Sequence, residues 1–271
     1  MKRIILACLS LSIVSLTINA QAVPAKSTGQ MNSPNSMKGA YLMTMQKFTQ
    51  NNKDTMVDAK QLKIYTDGYF MYAHTVGADT VGSYGVGTYK MQGGNVVEHV
   101  FYTSDNGAQE ADFTVKIAKS PDGYSQVIHY PADASGPEAI LTESYKTVSK
   151  KLASSLDGAW KMTKVTFIAT DGTPTVDNNP VQYKFYQSGH FMFGSTQTDP
   201  ATKKTSSNIG YGSFAVNGPD EITETPMNSS YRTMINTPVK LKLELKGKDH
   251  YQQTIKWDDG SKLIEEYERM K

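Results

Sequence analysis

The 271-residue chain reads as an all-β protein built from two tandem antiparallel β-barrels. Three observations predict this. Six short motifs occur twice in the same order, each copy alternates apolar and polar residues with period two, and Gly, Asn, Asp and Pro clusters break the alternation about every eight to twelve residues.

The repeats define the units. "MKGAYLMT" (37–44) returns as "LDGAWKMT" (156–163), "YTDGYFMY" (65–72) as "YQSGHFMF" (186–193), and "GVGTY" (85–89) as "GYGSF" (210–214). "NVVEH" (95–99) returns as "EITET" (221–225), "YSQVIH" (124–129) as "YQQTIK" (251–256), and "LTESYKTVS" (141–149) as "LIEEYERMK" (263–271). The offsets run from 119 to 127, so insertions between copies are small and fall in polar loops. Each unit is about 115 residues, a common domain size. The predicted domains are 36–149 and 154–271, joined by a short polar linker.

Within a unit, "QLKIYT", "VVEHVFY", "VQYKFYQ" and "KLKLELKG" alternate as half-buried strands do. Asp67-Gly68 and Ser188-Gly189 read as hairpin turns. Short helical turns are expected only before the opening glycines, near 36–38 and 155–157. The glycines of "VGSYGVGTY" lack the downstream helix and Lys-Ser/Thr of a phosphate loop, and suit a sharply bent barrel strand.

The N-terminal region has a different character. Lys2 and Arg3 precede an apolar run over 4–18 and a small-residue cleavage site at Ala20, which predicts a signal peptide over 1–20 and a secreted or periplasmic protein. Residues 21–35, rich in Gln, Ser, Pro, Gly and Asn, read as a flexible leader. Cys8 is the single cysteine, so the exported chain has no disulfide and no thiolate chemistry. Without Lys2 and Arg3, 26 of the 28 basic residues remain against 26 acidic ones. This neutral balance, with no basic stripe, argues against nucleic acid as a partner, and no later segment has the length of a transmembrane helix. The oligomeric state is not legible.

"GAW" at the start of a first strand, followed by several strands and a last one carrying Tyr267 and Arg269, resembles the lipocalins and fatty-acid-binding proteins of the calycin superfamily. The whole pattern also resembles lipocalin-like secreted proteins of uncharacterised function in Bacteroidota. The resemblance implies that Trp160 plugs the closed end of its barrel and that Arg269 packs over the indole. Unit one departs from it, with Tyr41 for the tryptophan and Thr147 for the arginine, so that Tyr41 with Lys146 is the expected substitute there. The resemblance also implies a small molecule held inside a barrel. Fatty-acid-binding proteins clamp a carboxylate with Arg-x-Tyr on the last strand, whereas this chain has Glu143-x-Tyr145 and Glu265-x-Tyr267. Simple fatty acids are therefore disfavoured.

Glu98 shares a strand face with Val96, and Glu224 shares one with Ile222, so each unit carries two carboxylates among apolar neighbours. Three explanations stand side by side: a solvated face or barrel rim, a polar-lined cavity for a ligand with hydroxyl, amide or cationic groups, or a pair of catalytic carboxylates in an isomerase or hydrolase. A cell-envelope interaction module with filled barrels is a further alternative. The expected ligand-binding residues are Tyr72, Glu98, Glu143 and Tyr145 in the first barrel and Phe193, Glu224, Glu265 and Tyr267 in the second. No catalytic or metal-binding set and no cofactor is expected, since the five histidines show no ligand spacing, although a haem would need only one. His190 is expected to be exposed or to pair across its hairpin.

Overall fold

The computed structural model describes residues 36–77, 82–132, 136–150, 152–199 and 201–271; the signal peptide, the leader and Cys8 lie outside them. The first half comprises β1 (Gly39–Gln50), β2 (Lys53–Met56), β3 (Ala59–Tyr65), β4 (Tyr69–Val76), β5 (Ser83–Gln92), β6 (Asn95–Thr103), β7 (Gly107–Ser120), β8 (Gly123–Tyr130) and β9 (Ala139–Thr147). The second repeats it with β10 (Gly158–Ile168), β11 (Pro174–Asp177), β12 (Val181–Gln187), β13 (His190–Thr198), β14 (Thr205–Val216), β15 (Glu221–Ser229), β16 (Val239–Leu245), β17 (His250–Lys256) and β18 (Lys262–Arg269).

Each set pairs antiparallel in chain order, and its first strand closes on its last, β1 on β9 and β10 on β18. The result is two closed eight-stranded barrels, with β2 and β11 appended as short hairpin strands beside the far ends of β1 and β10. The expected helical turns do not form as helix: 36–38 is irregular and 155–156 is a tight turn closed by Asp157 N–H to Ser154 O. Among the described residues the one helical element is a three-residue 3-10 turn, Arg232–Met234. At the hairpins, Gly68, Ser188 and Gly189 take the positive φ that such two-residue turns require.

The paired glycines bend and hollow the strands. A Cβ on Gly85 would strike the Tyr72 ring, and one on Gly210 would strike the Phe193 ring. Gly87 and Gly212 sit at bulges where a Cβ would meet a carbonyl of the next strand, at His99 and Thr225.

The two barrels share an apolar interface. Leu62 and Ile64 on β3, Met71 and Ala73 on β4, and Tyr84 and Val86 on β5 point outward, into Tyr183 and Phe185 on β12, Met192 on β13, and Ile209 and Tyr211 on β14. The Tyr84 ring lies on Gly194, and Ile209 lies on Gly82. Tyr84 OH and Thr196 Oγ1 are 2.8 Å apart, and Asn228 Nδ2 donates to Thr75 Oγ1 at 3.0 Å. Tyr69 OH donates to the carbonyl of Lys271 at 2.5 Å at the opposite end of the same interface. Thr75 and Asn228 end their strands at the barrel mouths, whereas Tyr69 and Lys271 lie near the floors, so both mouths open on one side.

Candidate functional site

Alternation turns Gln61, Lys63 and Tyr65 of β3 inward, because the intervening Leu62 and Ile64 are taken by the other barrel. Glu98 of β6, Gln126 of β8, and Glu143 and Tyr145 of β9 face them. Lys63 Nζ lies 2.6 Å from Glu98 Oε1, which also accepts from Tyr65 OH at 2.5 Å. Lys63 reaches Gln126 Oε1 at 3.4 Å, and Gln126 Nε2 donates to Glu143 Oε2 at 2.5 Å. Glu143 accepts two further bonds, from Tyr145 OH at 2.8 Å and from Gln46 Nε2 of β1 at 2.7 Å. Gln61 donates to the Tyr145 hydroxyl.

The second barrel contains the same assembly, residue for residue. Lys184 Nζ lies 2.8 Å from Glu224 Oε1 and 3.1 Å from Gln253 Oε1. Tyr186 OH donates to Glu224 at 2.5 Å, Tyr267 OH to Glu265 at 3.1 Å, and Gln182 Nε2 to Tyr267 OH at 2.6 Å. Gln253 donates to Glu265. At one position the copies differ: Gln46 opposes Glu143 in register, whereas Val165 opposes Glu265. Burial pushes the Glu265 carboxyl above the usual carboxylate range, with Lys184, Tyr267 and Gln253 pulling it back.

The four carboxylates are 4 to 7% exposed, which overturns the solvated-face explanation. Burial together with the neighbouring carboxylate raises the hydroxyls of Tyr65, Tyr145, Tyr186 and Tyr267 well above the tyrosine range, so they remain donors. A buried ion pair is costly unless its remaining atoms are hydrogen-bonded. Here tyrosine and glutamine do that, and each lysine also lies within 6 Å of two aromatic rings.

The eight residues expected to bind a ligand all lie on inward faces. Glu98, Glu143 and Tyr145, and Glu224, Glu265 and Tyr267, are joined in the two networks. Tyr72 and Phe193 lie nearer the mouths, against Gly85 and Gly210. Sequence reasoning missed Lys63, Lys184 and the glutamines, although Gln-x-Lys-x-Tyr stands at 61–65 and again at 182–186. His190 is buried rather than exposed, facing Gln187 across its hairpin, and burial lowers its pKa.

The ends of the barrels differ more than their centres. On the floor of barrel 2 the Arg269 guanidinium carbon lies 4.0 Å from the Trp160 ring centroid, as the resemblance implied, and Trp160 Nε1 donates to Leu156 O at 2.7 Å. In barrel 1 Lys146 is exposed and does not close the floor. A cavity of about 240 Å³ opens there beside Tyr41, Tyr124 and Thr147.

Toward the mouth of barrel 1, β7 and β8 pair only from Lys116 to Ser120, and beyond that they part. A cavity of about 350 Å³ occupies the seam, lined by Phe113 and Ile128 from the inner face and by Asp112, Thr114, Lys116 and His129 from the outer. In this half His74 Nδ1 and Gln109 Nε2 are buried without a protein partner. Burial lowers the His74 pKa, against the pull of Glu143 and Asp105. Barrel 2 has Ser195 in place of His74. Its chain between β15 and β16 folds back through the 3-10 turn, with Asn236 N–H donating to Pro226 O at 2.7 Å. Tyr231 of that segment is exposed.

No family matches the chain, and no curated protein matches it. Among solved structures, a redesigned beta barrel aligns at 20% identity over 45% of this chain and all of its own, with a TM-score of 0.29. A protein of unknown function from the DUF3598 family of Nostoc punctiforme aligns at 11% identity over 86% of this chain and 96% of its own, with a TM-score of 0.26. By its own strand pairing the chain is a tandem pair of closed β-barrels, a fold compatible with ligand binding.

Proposed function

We propose that the protein is an exported, lipocalin-like binding protein that holds a small, partly apolar molecule in the mouth half of barrel 1. The observation that carries this reading is that two buried polar atoms in the mouth half of barrel 1, His74 Nδ1 and Gln109 Nε2, have no protein partner, whereas the other such atoms among the described residues, Tyr124 OH in barrel 1 and Asp157 Oδ1, Gln187 Oε1 and Tyr251 OH in barrel 2, lie toward the floors. Buried polar groups are nearly always hydrogen-bonded, so a ligand carrying hydroxyl or amide groups suits them. Each network sets two carboxylates against one lysine, which favours a neutral or cationic ligand over an anionic one.

Binding is favoured over catalysis by the placement of Gln126. It stands between Glu98 and Glu143, bonded to Lys63 on one side and to Glu143 on the other. Glu98 and Glu143 are both held by network partners, which suits a structural role. Native mass spectrometry of the protein purified from its own host tests the reading. A retained small molecule, lost in a His74→Ala, Gln109→Ala variant of unchanged fold, is the expected result. Protein that is persistently empty, or a molecule retained equally by the variant, would refute it.

A further inference from the structure

We infer that the floor of barrel 1 is a guanidinium-binding site, complementary to the group that barrel 2 supplies from its own chain. The register makes the two floors directly comparable: Trp160 pairs with Arg269 and Tyr41 pairs with Thr147. Arg269 lies over Trp160 and donates to three main-chain carbonyls, Nη1 to Asp157 at 2.8 Å, Nη2 to Ser155 at 2.9 Å and Nε to Lys248 at 2.9 Å. By the repeat offsets these carbonyls correspond to Lys38, Ser36 and Pro121. The correspondence is fixed by matching bonds, since Arg269 N–H donates to Asp249 O and Thr147 N–H donates to Asp122 O.

In barrel 1 the short Thr147 side chain makes no such bonds; the 240 Å³ cavity is lined by Ser36, Met37, Tyr41, Pro121, Tyr124 and Thr147, while beside Lys38 the Tyr41 ring and the Ser149 hydroxyl pack against Gly39. Two of the three corresponding residues, Ser36 and Pro121, line the cavity beside the Tyr41 and Tyr124 rings, and aromatic faces next to carbonyl acceptors are the chemistry that receives a planar cation with several N–H donors. Lys119 occupies part of the rim, with Nζ 3.4 Å from the Ser36 carbonyl, one long bond where Arg269 makes three. The ligand is therefore an alkylguanidinium or an arginine side chain, entering from the floor. This site is separate from the mouth-half site proposed above and does not depend on it.

The test is a titration of the full chain with ethylguanidinium, and in parallel with a short arginine-containing peptide, followed through the Tyr41 and Tyr124 ring resonances. Saturable binding is expected, and it should weaken at least about tenfold in Thr147→Arg, whose own guanidinium fills the cavity. Thr147→Met, which fills the space without charge, should block binding as well and serves should Thr147→Arg perturb the fold. Lys119→Met should bind more tightly than wild type, and ethylammonium should bind more weakly than ethylguanidinium. Preference for the peptide over ethylguanidinium would identify a protein-borne arginine as the source, and equal binding a free small molecule. Absence of saturation in wild type, or equal responses in wild type, Thr147→Arg and Thr147→Met, would overturn the inference.

Discussion

The two barrels agree at their centres and differ at both ends. Seven inward side chains recur in one network, Gln61, Lys63, Tyr65, Glu98, Gln126, Glu143 and Tyr145 against Gln182, Lys184, Tyr186, Glu224, Gln253, Glu265 and Tyr267. At the floor, barrel 2 is locked by Arg269 over Trp160 where barrel 1 has a cavity beside Tyr41. At the mouth, barrel 1 carries a long β7, a seam and the unpartnered His74 and Gln109, where barrel 2 substitutes a 3-10 turn and Ser195. The comparison separates scaffold from site. What both copies retain holds the barrel in shape, and what one copy alone has is where a ligand is to be sought.

The largest expected effect tests the shared centre. Lys63→Met and Lys184→Met each strand a buried carboxylate, so each should cost about 3–5 kcal/mol in denaturant unfolding. The double variant Lys63→Met, Glu98→Leu should recover most of that, because an apolar pair of similar volume removes both charges. Unequal costs in the two barrels would break the claim that the networks are equivalent.

The floors give a smaller and asymmetric effect. Arg269→Met loses the contact with Trp160 and three charge-assisted bonds at a partly exposed site, about 1–2 kcal/mol. Thr147→Met should change stability by no more than about 0.5 kcal/mol. Similar costs at both positions would contradict the difference between the floors.

Proton linkage sharpens the comparison further. Because the folded Glu265 carboxyl titrates above the unfolded one, the folded protein retains a proton that the unfolded chain has released in the window between them. Its contribution to stability is greatest below the ordinary glutamate range and declines as pH rises through that window. Glu265→Gln should flatten this slope in a pH series of unfolding curves.

The smallest effect belongs to His74. Its folded pKa is depressed, so the stability it contributes is present above the ordinary histidine range and is lost as pH falls through that range toward the lower folded value. His74→Ser, which copies Ser195, should remove that loss. An unchanged acid limb in the variant would place His74 in contact with water rather than in the barrel interior.

The repeat and the closed antiparallel barrels were legible because each leaves a mark on short stretches of sequence, recurring motifs and period-two alternation, whereas the Trp160–Arg269 lock was legible only through the resemblance to the calycins. The central network was legible in half. Glu and Tyr on the last strands pointed inward as expected, but Lys63 and Lys184 went unnoticed because Leu62, Ile64, Tyr183 and Phe185 marked the opposite face of their strands as the buried one. That face is buried, against the other barrel, and alternation within one strand does not tell an interior from an interface. The seam was illegible for a related reason, since β7 reads as a continuous strand whether or not β8 stays paired with it.

The most direct test is a high-resolution crystal structure of the protein taken from its own host without refolding. The account predicts additional density in barrel 1, between Glu143 and the open end and in contact with His74 and Gln109, and none at the corresponding place beside Ser195 in barrel 2. Density in barrel 2 instead, or ordered water alone bridging His74 and Gln109, would contradict it.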